Sequence, residues 1–201
     1  MTARKVLVDR LDSLVVAARA GGDWAFARLW EELAGPVAGY LRARGVDDVD
    51  DVTSEVFLAA FEGIQRFEGD GARFRSWLFT IAHHRGVDGL RGQIKAGGQE
   101  AYFEDLDRRT VPSAEETSLD HLQSDEVRTA LAALTAEQRD VVLLRFVADL
   151  SLDEVAAITG RNAGAVKQLQ RRGIHRLRHH LNGAIATDPI TSVPALPIAE
   201  L

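Results

Sequence analysis

Apolar residues recur along this chain at three- and four-residue intervals, the spacing that places them on one face of an α-helix. Phe26, Leu29, Trp30, Leu33, Val37, Tyr40 and Leu41 predict an amphipathic helix, with a bend expected near Gly35-Pro36, where a backbone donor is missing. Val52, Val56, Phe57, Phe61 and Ile64 predict a second helix after the acidic run 47–51, and Trp77, Leu78, Ile81 and Ala82 a third. That third stripe lapses at Arg85, a polar side chain at the next inward position. These helices form an N-terminal bundle over residues 1–92.

Periodicity fades over 93–126, which holds Gly97-Gly98 and Pro112 and reads as a flexible linker. It returns at Val127, Leu131 and Leu134, and again from Val141 to Phe146, a largely buried helix opened by a Thr135/Gln138 capping box. Ser151 and Glu154 form a second box, with Leu150 and Val155 placed as its hydrophobic staple. The helix they start runs to Thr159-Gly160, and another begins near Asn162 or Ala163. Counting Leu152 as position one, Ala156, Gly160 and Val166 occupy positions five, nine and fifteen of a helix-turn-helix, where close approach, a turn and a packing contact are needed. Residues 127–183 form a second domain, and 184–201, with Pro189, Pro194 and Pro197, a flexible extension. The fold class is all-α: two small helical domains joined by an acidic linker.

Charge sharpens this picture. The whole chain carries −6, distributed as −2 over 1–92, −6 over 93–126, +4 over 127–183 and −2 over the tail. No acid lies between Glu154 and Asp188, while Arg161, Lys167, Arg171, Arg172, Arg176 and Arg178 crowd that stretch, the footprint of a polyanion site. On the last helix Val166, Leu169, Gly173 and Leu177 fall within about 80° of one another and face inward. Gly164, Lys167, Gln168, Arg171, His175 and Arg178 lie on the other side. Such a face can enter a major groove, with Gln168 and Arg171 reading base edges and Lys167 or Arg178 on phosphates. Arg161, Asn162 and Arg172 complete that candidate surface.

A second nucleic-acid signal follows the glycine-rich turn at Gly69–Gly71. Arg73, Phe74, Arg75, Trp77, Phe79, His83, His84 and Arg85, with Arg91 beyond, alternate aromatic and cationic groups, the mixture that stacks bases and tracks phosphates of a single strand. For Phe74 and Trp77, core packing and base stacking are equally compatible with the pattern.

The absence of cysteine excludes a disulfide scaffold, a thiolate metal site and a cysteine nucleophile, and suits a reducing cytoplasm. Apolar runs such as Val141–Leu144 are far shorter than the roughly 18 residues of a membrane span, and no export signal is read at the N-terminus. His175 and His179 have the spacing of a metal pair but lack a third ligand, so no metal, cofactor or enzymatic activity is expected.

Segments 50–57 (DDVTSEVF), 73–82 (RFRSWLFTIA) and 134–139 (LTAEQR), followed by the helix-turn-helix, resemble in that order conserved regions two and four of bacterial extracytoplasmic-function sigma factors. The resemblance covers about residues 20–92 and 127–181. It implies a promoter-specificity subunit of RNA polymerase with no catalysis of its own. Asp50, Asp51 and Glu55 would dock on the clamp helices of the largest catalytic subunit. Residues from Gly69 to Arg91 would melt the minus-ten element and hold a flipped base, and the helix from Asn162 would read the minus-thirty-five element. His83-His84 stands where the family often has an arginine-asparagine pair, and Leu169 where many members have arginine, so promoter preference does not transfer. Partners implied are core polymerase, promoter DNA and an inhibitory anti-sigma protein. The alternative is a stand-alone helix-turn-helix regulator whose front domain senses a ligand.

Linker length fits two separated elements. Promoter elements two helical turns apart lie roughly 70 Å from each other. A flexible chain of 34 residues (93–126) averages about 30–35 Å and reaches about 115 Å when extended. The polymerase would therefore have to hold the domains open, with the acidic linker in a cationic tunnel.

Overall fold

The computed structural model describes residues 3–95 and 127–185, with side chains over 10–87 and 127–181. The linker and tail expectations lie almost wholly outside the described residues. Every regular element among these residues is helical.

Four helices make the first module. Helix α1 (Ala3–Arg19), which the stripe reading overlooked, buries Leu11, Leu14, Val15 and Ala18 at i, i+3, i+4 and i+7. Helix α2 (Asp23–Arg44) runs unbroken through Pro36 and buries Leu29, Leu33, Val37, Tyr40 and Leu41. It closes where the Gly45 and Val46 N–H groups both reach back to the Leu41 carbonyl, each at 3.1 Å. Helix α3 (Val49–Gly63) buries Thr53, Val56, Phe57 and Ala60 and places Asp50 and Asp51 in its first turn, where the helix dipole favours negative charge. A short 3₁₀ turn (Ile64–Arg66) leads to α4 (Gly71–Lys95). The Asp70 carboxylate accepts the Arg73 N–H at 2.8 Å, and Asp12 of α1 accepts the Gly71 N–H at 2.5 Å, so α4 starts on two side-chain acceptors. The inward position after Ala82 is taken by His83 and then Gly86; Arg85 points to solvent, correcting the expected lapse.

The second module begins with a helical stretch at 127–132 and continues as α5 (Ala136–Phe146), α6 (Leu152–Thr159) and α7 (Ala163–Ile185). Both anticipated capping boxes are present in full, Thr135 with Gln138 and Ser151 with Glu154. Gly160 ends α6 in the left-handed conformation, φ 65° and ψ 28°, as the turn requires. Leu150 and Val155 are buried at the start of α6, the place of the hydrophobic staple.

The modules are not separate in this structure. Helix α2 packs against α5 and α4 against α6, and buried apolar residues from both modules form one continuous cluster.

Candidate nucleic-acid interface

Helix α7 starts on a side-chain cap, the Asn162 Oδ1 accepting the Ala165 N–H at 2.8 Å. Its inward stripe is as expected: Val166 and Gly173 are buried, Leu169 and Leu177 half-buried. Asn162, Gly164, Lys167, Gln168, Arg171, Arg172 and Arg178 are all exposed, and Lys167, Arg171, Arg172, His175, Arg178 and His179 line one open groove. Eight basic residues of this module fall into two groups. Arg145 donates to the Leu150 carbonyl and to Gln170 Oε1, Arg176 to Gln138 Oε1 at 3.3 Å, Arg139 to the Leu131 carbonyl at 3.0 Å, and Arg161 pairs with Glu137. These four fasten helices to one another. Lys167, Arg171, Arg172 and Arg178 project from the outward face, a fixed row of positive charge on a rigid rod.

Helix α4 divides its candidates differently. Arg73, His84 and Arg85 are exposed, and Arg85 reaches Glu55 of α3 at 3.1 Å. Trp77 is half-buried, its ring stacked on Phe67 with centroids 5.1 Å apart and planes 24° from parallel. Phe74 is wholly buried, edge-on to Phe67 and Trp77 at 5.6 and 5.8 Å, and belongs to the core. Arg75 and His83 are also withdrawn from solvent. Arg75 lies over the Phe79 ring at 5.6 Å and its Nε donates to the Ala148 carbonyl of the second module at 2.6 Å. The Arg91 side chain lies outside the described residues. On α3, Asp50, Asp51 and Glu55 are all exposed, presenting three carboxylates together.

A polar cluster unanticipated from the sequence sits between the modules. Arg44 of α2 donates to Tyr40 Oη at 2.8 Å, approaches His83 Nδ1 at 2.8 Å, and pairs with Asp140 of α5 at 3.0 Å. Tyr40 Oη lies 2.9 Å from the same His83 nitrogen. Because the guanidinium has only donors, His83 Nδ1 must accept, which fixes the neutral ring with its proton on Nε2. Burial, then Arg44, then His84 hold the His83 pKa down to about 4. Burial also raises Asp140 above the usual carboxylate range, outweighing the pull of Arg44, and raises Tyr40. The signal for this cluster was present: Val37, Tyr40, Leu41 and Arg44 share one stripe, so a charge was bound for the interior and needed a partner.

Among the described residues there is no cluster that could hold a metal ion, and no helix is long and apolar enough to cross a membrane.

Comparison with known proteins agrees with this arrangement. The Sigma-70 region 2 family matches residues 29–95 and the Sigma-70, region 4 family residues 130–179. The ECF RNA polymerase sigma factor BldN of Streptomyces coelicolor is 34% identical over 84% of this chain and 64% of its own length. The ECF sigma factor SigD of Mycobacterium tuberculosis is 33% identical over 88% of this chain and 86% of its own. Among solved structures, CnrH in complex with the cytosolic domain of CnrY aligns with a TM-score of 0.64 at 25% identity, covering 87% of this chain and 98% of that one. RpoE of Bartonella quintana, in complex with the anti-sigma factor NepR, aligns with a TM-score of 0.57 at 25% identity over 78% and 96%. Two helical modules in this order, an outward cationic helix face on the second and relatives aligned across most of the chain together place it in the family of ECF RNA polymerase sigma factors.

Proposed function

We propose that this chain directs core RNA polymerase to a set of promoters, with region 4 reading the minus-thirty-five element and region 2 opening the minus-ten element. One observation carries the reading: the outward face of α7 holds Lys167, Gln168, Arg171 and Arg178 in solvent while its other face is locked into the module core. Arg171 and Gln168 are the base readers, and Asn162, Gly164, Lys167, Arg172 and Arg178 position the phosphate backbone, while Arg161 beside them is engaged by Glu137. On α4 the strand-capturing face is Arg73, Trp77, His84 and Arg85. Asp50, Asp51 and Glu55 form the polymerase-docking surface. The work is binding and unstacking, with no covalent step, and its setting is the cytoplasm.

NepR is an anti-sigma factor bound to a structural relative, and a partner of that kind suits this chain. The functional test is transcription in vitro with core polymerase over a random promoter library. Start sites that share two elements and require the chain support the reading. Tight, specific duplex binding without polymerase, and no transcription with it, would support the stand-alone regulator.

A further inference from the structure

Arg73 and Trp77, assigned above to strand capture, follow a short loop, 67–70, that joins the 3₁₀ turn to α4. Helix α1 packs against both the turn before this loop and the helix after it. At the α4 end the approach is close. Gly71 is buried against α1, where a Cβ would fall 2.5 Å from Leu11 Cβ and 2.7 Å from the Asp12 backbone nitrogen, so only glycine fits. At the same point the Gly71 N–H donates to Asp12 Oδ1 at 2.5 Å, across 59 positions of sequence. Asp70 caps α4 locally by accepting the Arg73 N–H at 2.8 Å. The helix thus has its own start signal, and Asp12 adds a tie to a different element.

The loop belongs to one packed surface. Phe67 stacks on Trp77 with centroids 5.1 Å apart. A Cβ on Gly69 would fall 2.8 Å from Arg73 Cβ and 2.9 Å from Phe67 Cζ, and one on Gly63 would meet the Trp77 ring at 2.9 Å. Loop, Arg73 and Trp77 are therefore aimed together, and their direction is set where α4 meets α1.

We propose that Asp12 is a positioning residue for promoter opening: it holds the first residue of α4 on α1 and so aims Arg73 and Trp77 at the strand they capture. The proposal rests on the sigma-factor reading for the strand and on geometry for the tie. Asp12 acts through Gly71 and contacts no DNA itself. Without its acceptor the buried Gly71 N–H is left unsatisfied, and a joint this tightly packed must shift to hydrate it. Leu11, Leu14, Val15 and Ala18 remain in the core, so α1 stays docked while the joint loosens.

The test uses the full chain assembled with core polymerase on a promoter that the wild type opens. Asp12→Ala removes the acceptor, Asp12→Asn keeps an oxygen acceptor without the charge, and Gly71→Ala wedges the same joint from α4. Circular dichroism checks helicity, competition for core polymerase reads affinity, and the time course of permanganate reactivity reads opening. Opening is followed on the duplex promoter and on one whose minus-ten element is already unpaired by mismatches. The expected result for Asp12→Ala is opening about tenfold slower at unchanged helicity and polymerase affinity, the size of one unsatisfied buried donor. Asp12→Asn should stay close to wild type, Gly71→Ala should reproduce the defect, and the unpaired template should rescue Asp12→Ala. Wild-type opening by Asp12→Ala overturns the proposal. An equal defect on the unpaired template, or lost helicity, overturns it too, since Asp12 would then serve the fold at large. A wild-type chain that opens no promoter with polymerase removes the sigma-factor reading itself, a failure seen before any variant is made.

Discussion

Gly173 of α7 lies directly against Val142 of α5, so close that a Cβ on the glycine would fall 2.9 Å from the valine Cγ2. Helix α7 is thus seated on the second module by absence of a side chain. Gly173→Leu should lower the stability of the chain by about 1–3 kcal/mol through overpacking. Thermal unfolding followed by circular dichroism measures it, and an unaltered midpoint would show that α7 rides free of α5.

Arg171 stands exposed on the opposite side of the same helix. If it reads a base, Arg171→Ala weakens promoter binding by the polymerase complex by about 1–3 kcal/mol and relaxes preference at one position of the minus-thirty-five element. Selection from a randomised element reads this directly; a uniform loss at every position would make it a phosphate contact.

Trp77 is covered on one face by Phe67 and remains partly open. Trp77→Ala should reduce permanganate reactivity of the promoter bubble while polymerase affinity is retained, since a lost stacking platform costs about 1–3 kcal/mol per base. Full reactivity would mean that the ring serves only the packing around Phe67.

Acid should destabilise the fold through His83. The unfolded ring takes a proton near pH 6.5, the folded one only near pH 4. Between those values the unfolded chain binds more protons, so the stabilisation is complete above about pH 6.5 and declines as pH falls toward 4, by on the order of 3 kcal/mol. Asp140, raised by burial, works in the opposite sense at the acid end. Urea unfolding at a series of pH values should give a flatter profile for His83→Gln than for wild type; parallel profiles would remove His83 as the cause.

Ser151 caps α6 through its hydroxyl, which accepts the Glu154 N–H at 3.3 Å, while the Glu154 carboxylate accepts the Ser151 N–H at 2.6 Å. Ser151→Ala should cost about 1 kcal/mol of unfolding free energy, read as a lower urea midpoint at unchanged slope; an unchanged midpoint would show that the cap adds nothing.

Much of this architecture was written in local chemistry. Caps at Thr135, Ser151 and Asn162 and the glycine at 160 depend on neighbours a few residues away, so sequence spacing located α5, α6 and the start of α7 closely. The outward face of α7 followed from periodicity for the same reason. Helix α1 was equally legible in the spacing of Leu11, Leu14, Val15 and Ala18. Helix α2 stays helical through Pro36, with Leu33 and Val37 buried on either side.

The division of α4 was harder to read. Phe74 and Trp77 are three apart and share a face, and Phe67 from the preceding loop packs on both, yet Phe74 is core and Trp77 half-open. Arg75 and His83 are buried by contacts with residues 73 positions later and 43 earlier, at Ala148 and Tyr40. No local rule carries such information; only the stripe position of Arg44 hinted that a charge had to meet a distant partner.

Between Leu150 and Asn162 the joint that carries α7 has no slack: staple, capping box, left-handed glycine and asparagine cap follow one another with scarcely a spare residue. A scaffold so fully specified behaves as a jig. New target sequences can be acquired by exchanging outward side chains one at a time, with the frame that aims them preserved, so vocabulary and grammar in this module are free to evolve separately.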